Sequence, residues 1–241
     1  MSVSEYSSKL IAAPEVFARF PGLHVAVAVG CDLDNAAAHP AIEAVWREVW
    51  QAAAAEGAAY GNAQSHPRVK PWRERFAAMG VSGKQYPSSV EALLRRALKG
   101  GEPFTINPLV DWYNALSLRH VVPAGAFDLA AIAGPLELRL TRPGDTFTAL
   151  DSDAPEALPA GEIAYADGAT VVTRHFVWRQ SKAGLITSQS HDVILLSEVL
   201  GEVGPAVADA IRDDFLAGLR DDFGVAGSGG IISAESPTFA W

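Results

Sequence analysis

One cysteine, Cys31, stands among 241 residues, so a disulfide framework and a multi-thiolate metal site are both excluded. Long apolar runs are missing too. Stretches such as AIAGPLELRL and VGPAVADAI meet Gly, Pro or charge within about ten residues, too short to span a bilayer. MSVSEYSSKL lacks the basic start and apolar run of a signal peptide, and the expectation is a soluble, cytoplasmic protein. The six histidines show neither HExxH nor HxH spacing, so no metal site is expected. GVAGSGGI contains no GK[ST] and no helix signal follows it, so residues 226–241 read as a glycine-rich, flexible tail. No GxSxG nucleophile elbow occurs, and Cys31 reads as a small buried hydrophobe.

What is present is apolar. Hydrophobic residues make up 49% of the chain, with six Trp and ten Phe, which excludes a disordered chain. The length suits one large domain or two small ones. A strand over 23–29 and a helix over 40–55 are too few to stand alone, so residues 1–225 read as a single domain. The net charge of −9 disfavours indiscriminate binding to polyanions. The bases nevertheless cluster: Arg68, Lys70, Arg73, Arg75, Lys84, Arg95, Arg96 and Lys99 face only Glu74 and Glu91. A local basic face on an acidic protein is what a selective reader of a phosphate backbone needs, although solvated helix faces have the same composition.

Helix signals dominate the first half. Apolar positions recur at helical spacing after Pro40 and after Pro71. Ser88 and Glu91 form a capping-box pair, and Asn107 before Pro108 is a cap followed by a first-turn proline. After Pro123 the texture turns to short strands at 136–140, 146–150, 162–166, 170–180, 184–188 and 193–197. An amphipathic helix through Val207, Ile211, Phe215, Leu219 and Phe223 closes the pattern. Mixed helices, then strands, then a helix argue for an α+β fold rather than a doubly wound sheet.

Two groups of polar residues stand out. Asn107, Asp111, Asn114 and Ser117 fall broadly on one side of a helix. Short amides and a carboxylate inside a domain must find partners, in a loop or a ligand. In VVTRHFVWRQ, Arg174 shares parity with Phe176 and Trp178, so an in-register strand sets it on the aromatic face. An arginine beside aromatic rings can stack on a base or clamp an anion.

RRALKGGEPFTINPLVDWYN, PAGAFDLAAIAGPLELRLTRPGDTFTALD and GEIAYAD together resemble the editing domain of the beta subunit of bacterial phenylalanyl-tRNA synthetase. The resemblance rests on Arg95/Arg96, Val110-Asp111…Asn114, Pro123…Ala126-Phe127-Asp128, Arg139, Gly144-Asp145 and Ala166-Asp167, in order over roughly residues 85–200. PSVEALLRR, NPLVDWYN and WRQS are similar to free-standing proteins built on this domain. The resemblance implies an α+β domain with a mixed or antiparallel sheet core and flanking helices. It also implies binding to the acceptor end of aminoacylated tRNA, not to DNA or a membrane, and hydrolysis of wrongly attached amino acids without metal or cofactor.

Carried over by position, Asn114 sits by the pocket and Arg139 on a strand lining it, while Asp111 and Asp128 anchor a helix and a turn. Arg174, Arg179 and Gln180 belong to the free-standing pattern and are expected to hold substrate, together with Asn107 and Ser117. The eight bases between 68 and 99 are expected to grip the acceptor stem. Gly125 replaces the family's histidine and Tyr113 its threonine, so the synthetase's amino-acid discrimination is not carried over. In ester editing the terminal ribose hydroxyl and a positioned water supply much of the chemistry. A general base is not identified by the pattern; His120 and His175 are candidates by proximity in sequence. The alternatives are a non-catalytic RNA-binding module or a small-metabolite-binding protein on the same fold.

Overall fold

The computed structural model describes residues 9–241. In chain order the elements are β1 (Lys9–Ala12), α1 (Pro14–Arg19), β2 (His24–Gly30), α2 (Pro40–Ala58), α3 (Lys70–Ala78), α4 (Ser89–Ala97) and α5 (Pro108–His120). There follow β3 (Ala124–Asp128), β4 (Leu136–Leu140), β5 (Thr146–Phe147), β6 (Glu156–Ala157), β7 (Ile163–Asp167), β8 (Thr170–Arg174), β9 (Arg179–Gln180) and β10 (Val193–Val199). Last come α6 (Pro205–Asp221), β11 (Gly227–Ile232) and β12 (Thr238–Ala240). This is the expected α+β class, and the strands form two sheets.

The alternation HVAVAVG in β2 explains the layering. Its valines, 25, 27 and 29, enter one core with Ile194 and Leu196. Its alanines, 26 and 28, enter another with Leu109, Trp112, Ile211 and Phe215. A strand with two buried faces belongs inside a sheet, and β2 lies between β11 and β10 in the order β11-β2-β10-β3, all antiparallel. Valine faces the second, eight-stranded sheet, ordered β12-β1-β4-β7-β8-β5-β6 with β9 on β8. In that sheet only the β1–β4 and β5–β8 pairs are parallel. Alanine faces α5 and α6, where a small residue lets helices approach closely. Beyond α5, a helical core joins Trp46 and Trp50 of α2 to Val90 and Leu94 of α4.

Residues 227–232 are not a tail. GSGGII is β11, paired with β2 from Gly227–Gly30 to Ile232–Val25. The glycines remove the side chains that would collide with α6 and β12. A Cβ at Gly227 would lie 2.7 Å from Leu219, and one at Gly230 would lie 2.7 Å from Phe239. The same logic applies at Gly218 in α6, where a Cβ would come within 2.0 Å of the Trp112 ring. Alanine is the better helix former by about 1 kcal/mol. Gly218→Ala is nevertheless expected to destabilise by about 1–3 kcal/mol, because the overpacked Trp112 must move; a urea midpoint measures it.

Two strand expectations also fail. Residues 184–188 form no strand. The 170–180 run breaks after Arg174, since His175 (φ 44°) and Phe176 (φ 64°) are both left-handed. Two consecutive non-glycine residues there are strained and must be held by their surroundings. The Phe176 N–H donates to the Ile163 carbonyl at 2.7 Å, and its ring packs among Phe20, Trp72 and Tyr165. Cys31, finally, is exposed rather than buried.

Candidate functional site

The broken strand opens a cleft of about 180 Å³ between the two sheets and the helices. α5 contributes Tyr113 and Asn114, and β3 contributes Gly125 and Ala126. The 175–180 turn supplies Val177, Trp178, Arg179 and Gln180, and Ser89 comes from the first turn of α4. Asn107 sets this geometry from one end of α5: its side chain caps the helix by accepting from the Val110 N–H at 3.0 Å. Its oxygen also accepts from the Asn35 amide at 3.2 Å, which ties α5 to the loop after β2. At the other wall, the Gln180 amide donates to the Ala126 and Gly184 carbonyls at 3.2 and 3.1 Å. That fixes the turn against β3 and leaves the Gln180 carbonyl as an acceptor. A Cβ built on Gly125 meets nothing within 4 Å, so this glycine widens the cleft. Among the described residues, none holds the Asn114 amide by a side-chain hydrogen bond.

The cleft also contains a group that sequence reasoning missed. Glu198, only 5% exposed, accepts a hydrogen bond from the Tyr165 hydroxyl at 2.7 Å. Burial pushes its carboxyl up to about 7, against the lowering effect of that hydrogen bond. The same burial, with Glu198 beside it, raises Tyr165 well above the usual phenol range. Near neutral pH the site therefore holds a carboxyl that is part protonated, part ionised, the poise of a group that exchanges a proton.

Residues 71–206 match the B3/4 domain over more than half of the chain, and that span includes every cleft residue named above. The chain belongs to the B3/4 domain family. Similar to this B3/4 domain is part of the phenylalanine–tRNA ligase beta subunit of Chromobacterium violaceum, 29% identical over 123 residues. That match covers 51% of this chain and 15% of the relative. The corresponding subunit of Nocardia farcinica is 37% identical over 101 residues, 41% of this chain and 12% of the relative. The B3/4 chain thus spans a small part of the length of either relative. Among solved structures, an N-terminal fragment of the phenylalanyl-tRNA synthetase beta-subunit from Pyrococcus horikoshii aligns with a TM-score of 0.45 at 11% identity. The alignment covers 94% of this chain and 52% of that one.

The structure brings together some of the residues singled out in the sequence and separates others. Asn114, Arg179 and Gln180 line the cleft with Tyr113 and Gly125. Asn107 and Ser117 are buried and do not line it; the Ser117 hydroxyl donates to the Val122 carbonyl at 2.6 Å. Arg139 lies elsewhere, 1% exposed, bound to both oxygens of Asp145 at 2.6 and 3.2 Å and to Glu137 at 3.0 Å. Arg174 is saturated by Glu162 (3.0 and 2.7 Å) and Glu156 (3.0 Å) behind the turn. It still lies 5.9 Å from the Trp178 ring. His120 is paired with Asp214 at 2.7 Å, and His175 turns away from the cleft toward a second cavity. Asp111 accepts from the Ile106 N–H at 3.0 Å, and Asp128 accepts from Ala130 at 2.9 Å and from Ser190 at 2.6 Å. Both anchor their turns.

The basic stretch is internally compensated in part. Arg73 binds Glu91 through two contacts at 2.8 and 2.7 Å, and Arg95 binds the same carboxylate. The capping-box expectation is half met, since Ser88 accepts from the Glu91 N–H at 3.4 Å while the Glu91 carboxylate is given over to these arginines. Lys70 meets Glu74 and Arg75 meets Glu202. Arg68 donates to the His120 carbonyl, and Arg96 stacks 4.9 Å from the Phe104 ring centre. Lys84 and Lys99 are exposed. Arg73, Arg95 and Lys84 converge with Asn62 and Gln64 on an open depression of about 530 Å³. Two arginines sharing one carboxylate leave that depression net positive.

Proposed function

We propose that this B3/4 domain receives the acylated 3′ end of a tRNA in the cleft and hydrolyses the ester of a wrongly attached amino acid. The observation that carries the reading is that one cleft is lined both by a carboxyl poised near neutrality and by an amide with no side-chain hydrogen bond among the described residues. In this scheme the ionised Glu198 takes a proton from a water that attacks the acyl carbon. Asn114 donates to the carbonyl oxygen as negative charge develops there. The bond to the ribose oxygen then breaks, and that oxygen takes up a proton. The depression formed by Arg73, Arg95 and Lys84 receives backbone phosphates. Ser89 and Arg95 are separated by about 9 Å along the axis of α4, which supports a single RNA strand reaching both.

Release of amino acid from a panel of mischarged tRNAs tests the proposal. One member is expected to be deacylated, with Asn114→Ala lowering the rate about a hundredfold, as loss of one oxyanion donor does. No release from any member, with tRNA still bound at low salt, would leave an RNA-binding module. The pairing of Lys70, Arg73, Arg75 and Arg95 with carboxylates favours a second reading, a small-ligand site without RNA. RNA held through several bases weakens steeply as salt rises, whereas a small neutral ligand does not.

A further inference from the structure

On the far side of the strained turn lies a second cavity of about 390 Å³, bounded by the ends of α1 and α3 and the start of β7. Its volume falls within the range of small-molecule sites, and the smaller cleft shares one wall with it, the Phe176 ring. Most of the lining is apolar: Phe20, Phe76, Met79, Val81 and Ile163. Two features give it polarity. At the rim, exposed Arg19 spends one N–H on the Gly161 carbonyl at 3.0 Å, leaving the rest of its fork open. Inside, His175 is 8% exposed, and its Nε2 has no hydrogen-bond partner among the described residues. The nearest carboxylate oxygen, on Glu162, is 3.7 Å away and is already engaged by Arg174. A buried polar nitrogen without a partner is costly, and a ligand oxygen would supply one.

We propose that this cavity binds a small carboxylic acid with an apolar chain or ring. The carboxylate meets Arg19, the chain lies among Phe76, Met79, Val81 and Ile163, and a carboxylate oxygen is within reach of His175. Arg174 neutralises Glu162, so the one acidic lining group does not repel the ligand. The proposal does not depend on how the cleft is read.

Isothermal titration of the full chain with octanoate, and separately with phenylacetate, tests it. Saturable one-to-one binding is expected, with affinity across butyrate, hexanoate and octanoate rising about fourfold per added methylene. Arg19→Ala is expected to weaken octanoate at least tenfold. Val81→Trp, which fills the cavity, is expected to abolish binding, and Asn114→Ala to leave it unchanged. Arg19 is exposed, so its variant tests the site even if Val81→Trp does not fold. Absence of saturable binding for both acids, or octanoate binding unaltered in Arg19→Ala, overturns the proposal.

Discussion

Glu198→Gln is expected to silence the protein and to make it more stable above pH 7. The two effects share one cause. The native carboxyl titrates at about 7 because burial disfavours its charge, while its ordinary value is 4.5. Between those values the folded state holds a proton that the unfolded state has released. Stability therefore falls as pH rises through this window, and above pH 7 the full cost is in place. The 2.5-unit difference corresponds to about 3 kcal/mol, as an upper figure. Glutamine keeps an acceptor for the Tyr165 hydroxyl and never ionises. Its melting temperature should match the parent's near pH 5 and exceed it by several degrees at pH 8. On mischarged tRNA, loss of the base should lower the rate by about 10²–10⁴, and the parent's rate should rise with pH through about 7. A parent and variant with parallel stability curves would show that Glu198 carries no buried charge.

Asp145→Ala is expected to cost about 3–5 kcal/mol, a large share of the roughly 5–15 kcal/mol that holds an ordinary domain folded. The loss strands Arg139, 1% exposed, with the exposed-side Glu137 as its remaining carboxylate. Burial alone would raise the Asp145 carboxyl. Hydrogen bonds and charge from Arg139, with the Arg142 N–H, outweigh it and hold the carboxyl below 3.8. The contribution of the pair is thus complete above pH 4 and is lost as pH falls through the depressed native value. Replacing both partners, as Arg139→Met with Asp145→Leu, should recover most of the stability, since an apolar pair leaves no charge behind. Chemical denaturation of the single and double variants at pH 7 decides this. Arg139 then serves the fold of the eight-stranded sheet, whatever activity the cleft has.

The sequence was most legible where a signal is local. Asn107-Pro108 announces a helix start because the cap and the first-turn proline act within four residues, and the valine–alanine alternation of β2 shows where its two faces go. Legibility failed where partners are distant. Arg139 reads like a substrate ligand until the turn six residues on brings Asp145 beneath it. Glu198 is unremarkable in SEVL, because what gives it meaning is Tyr165 on the other sheet. The break at His175 and Phe176 has little local cue, since phenylalanine seldom takes a left-handed backbone, and it is enforced by distant partners, the Ile163 carbonyl and the aromatic rings around Phe176. Glycines in β11 misled for the opposite reason, resembling a linker while making room for α6. Asn114, Arg179 and Gln180 line the cleft, whereas Arg174 and Ser117 are spent on internal bonds.

The pairing of β1 with β12, Lys9 opposite Ala240, has a consequence for synthesis. The eight-stranded sheet joins a strand from near the start of the described chain to one more than two hundred residues later. β2 likewise waits for β10 and β11. On a ribosome adding about 5–20 residues per second, these early strands remain with open edges for about ten seconds or more. Open edges of this kind are templates for pairing with other chains. The helices α2 to α5 make their contacts over shorter separations and can assemble first. The yield of folded protein should therefore depend on what shields His24–Gly30 in that interval.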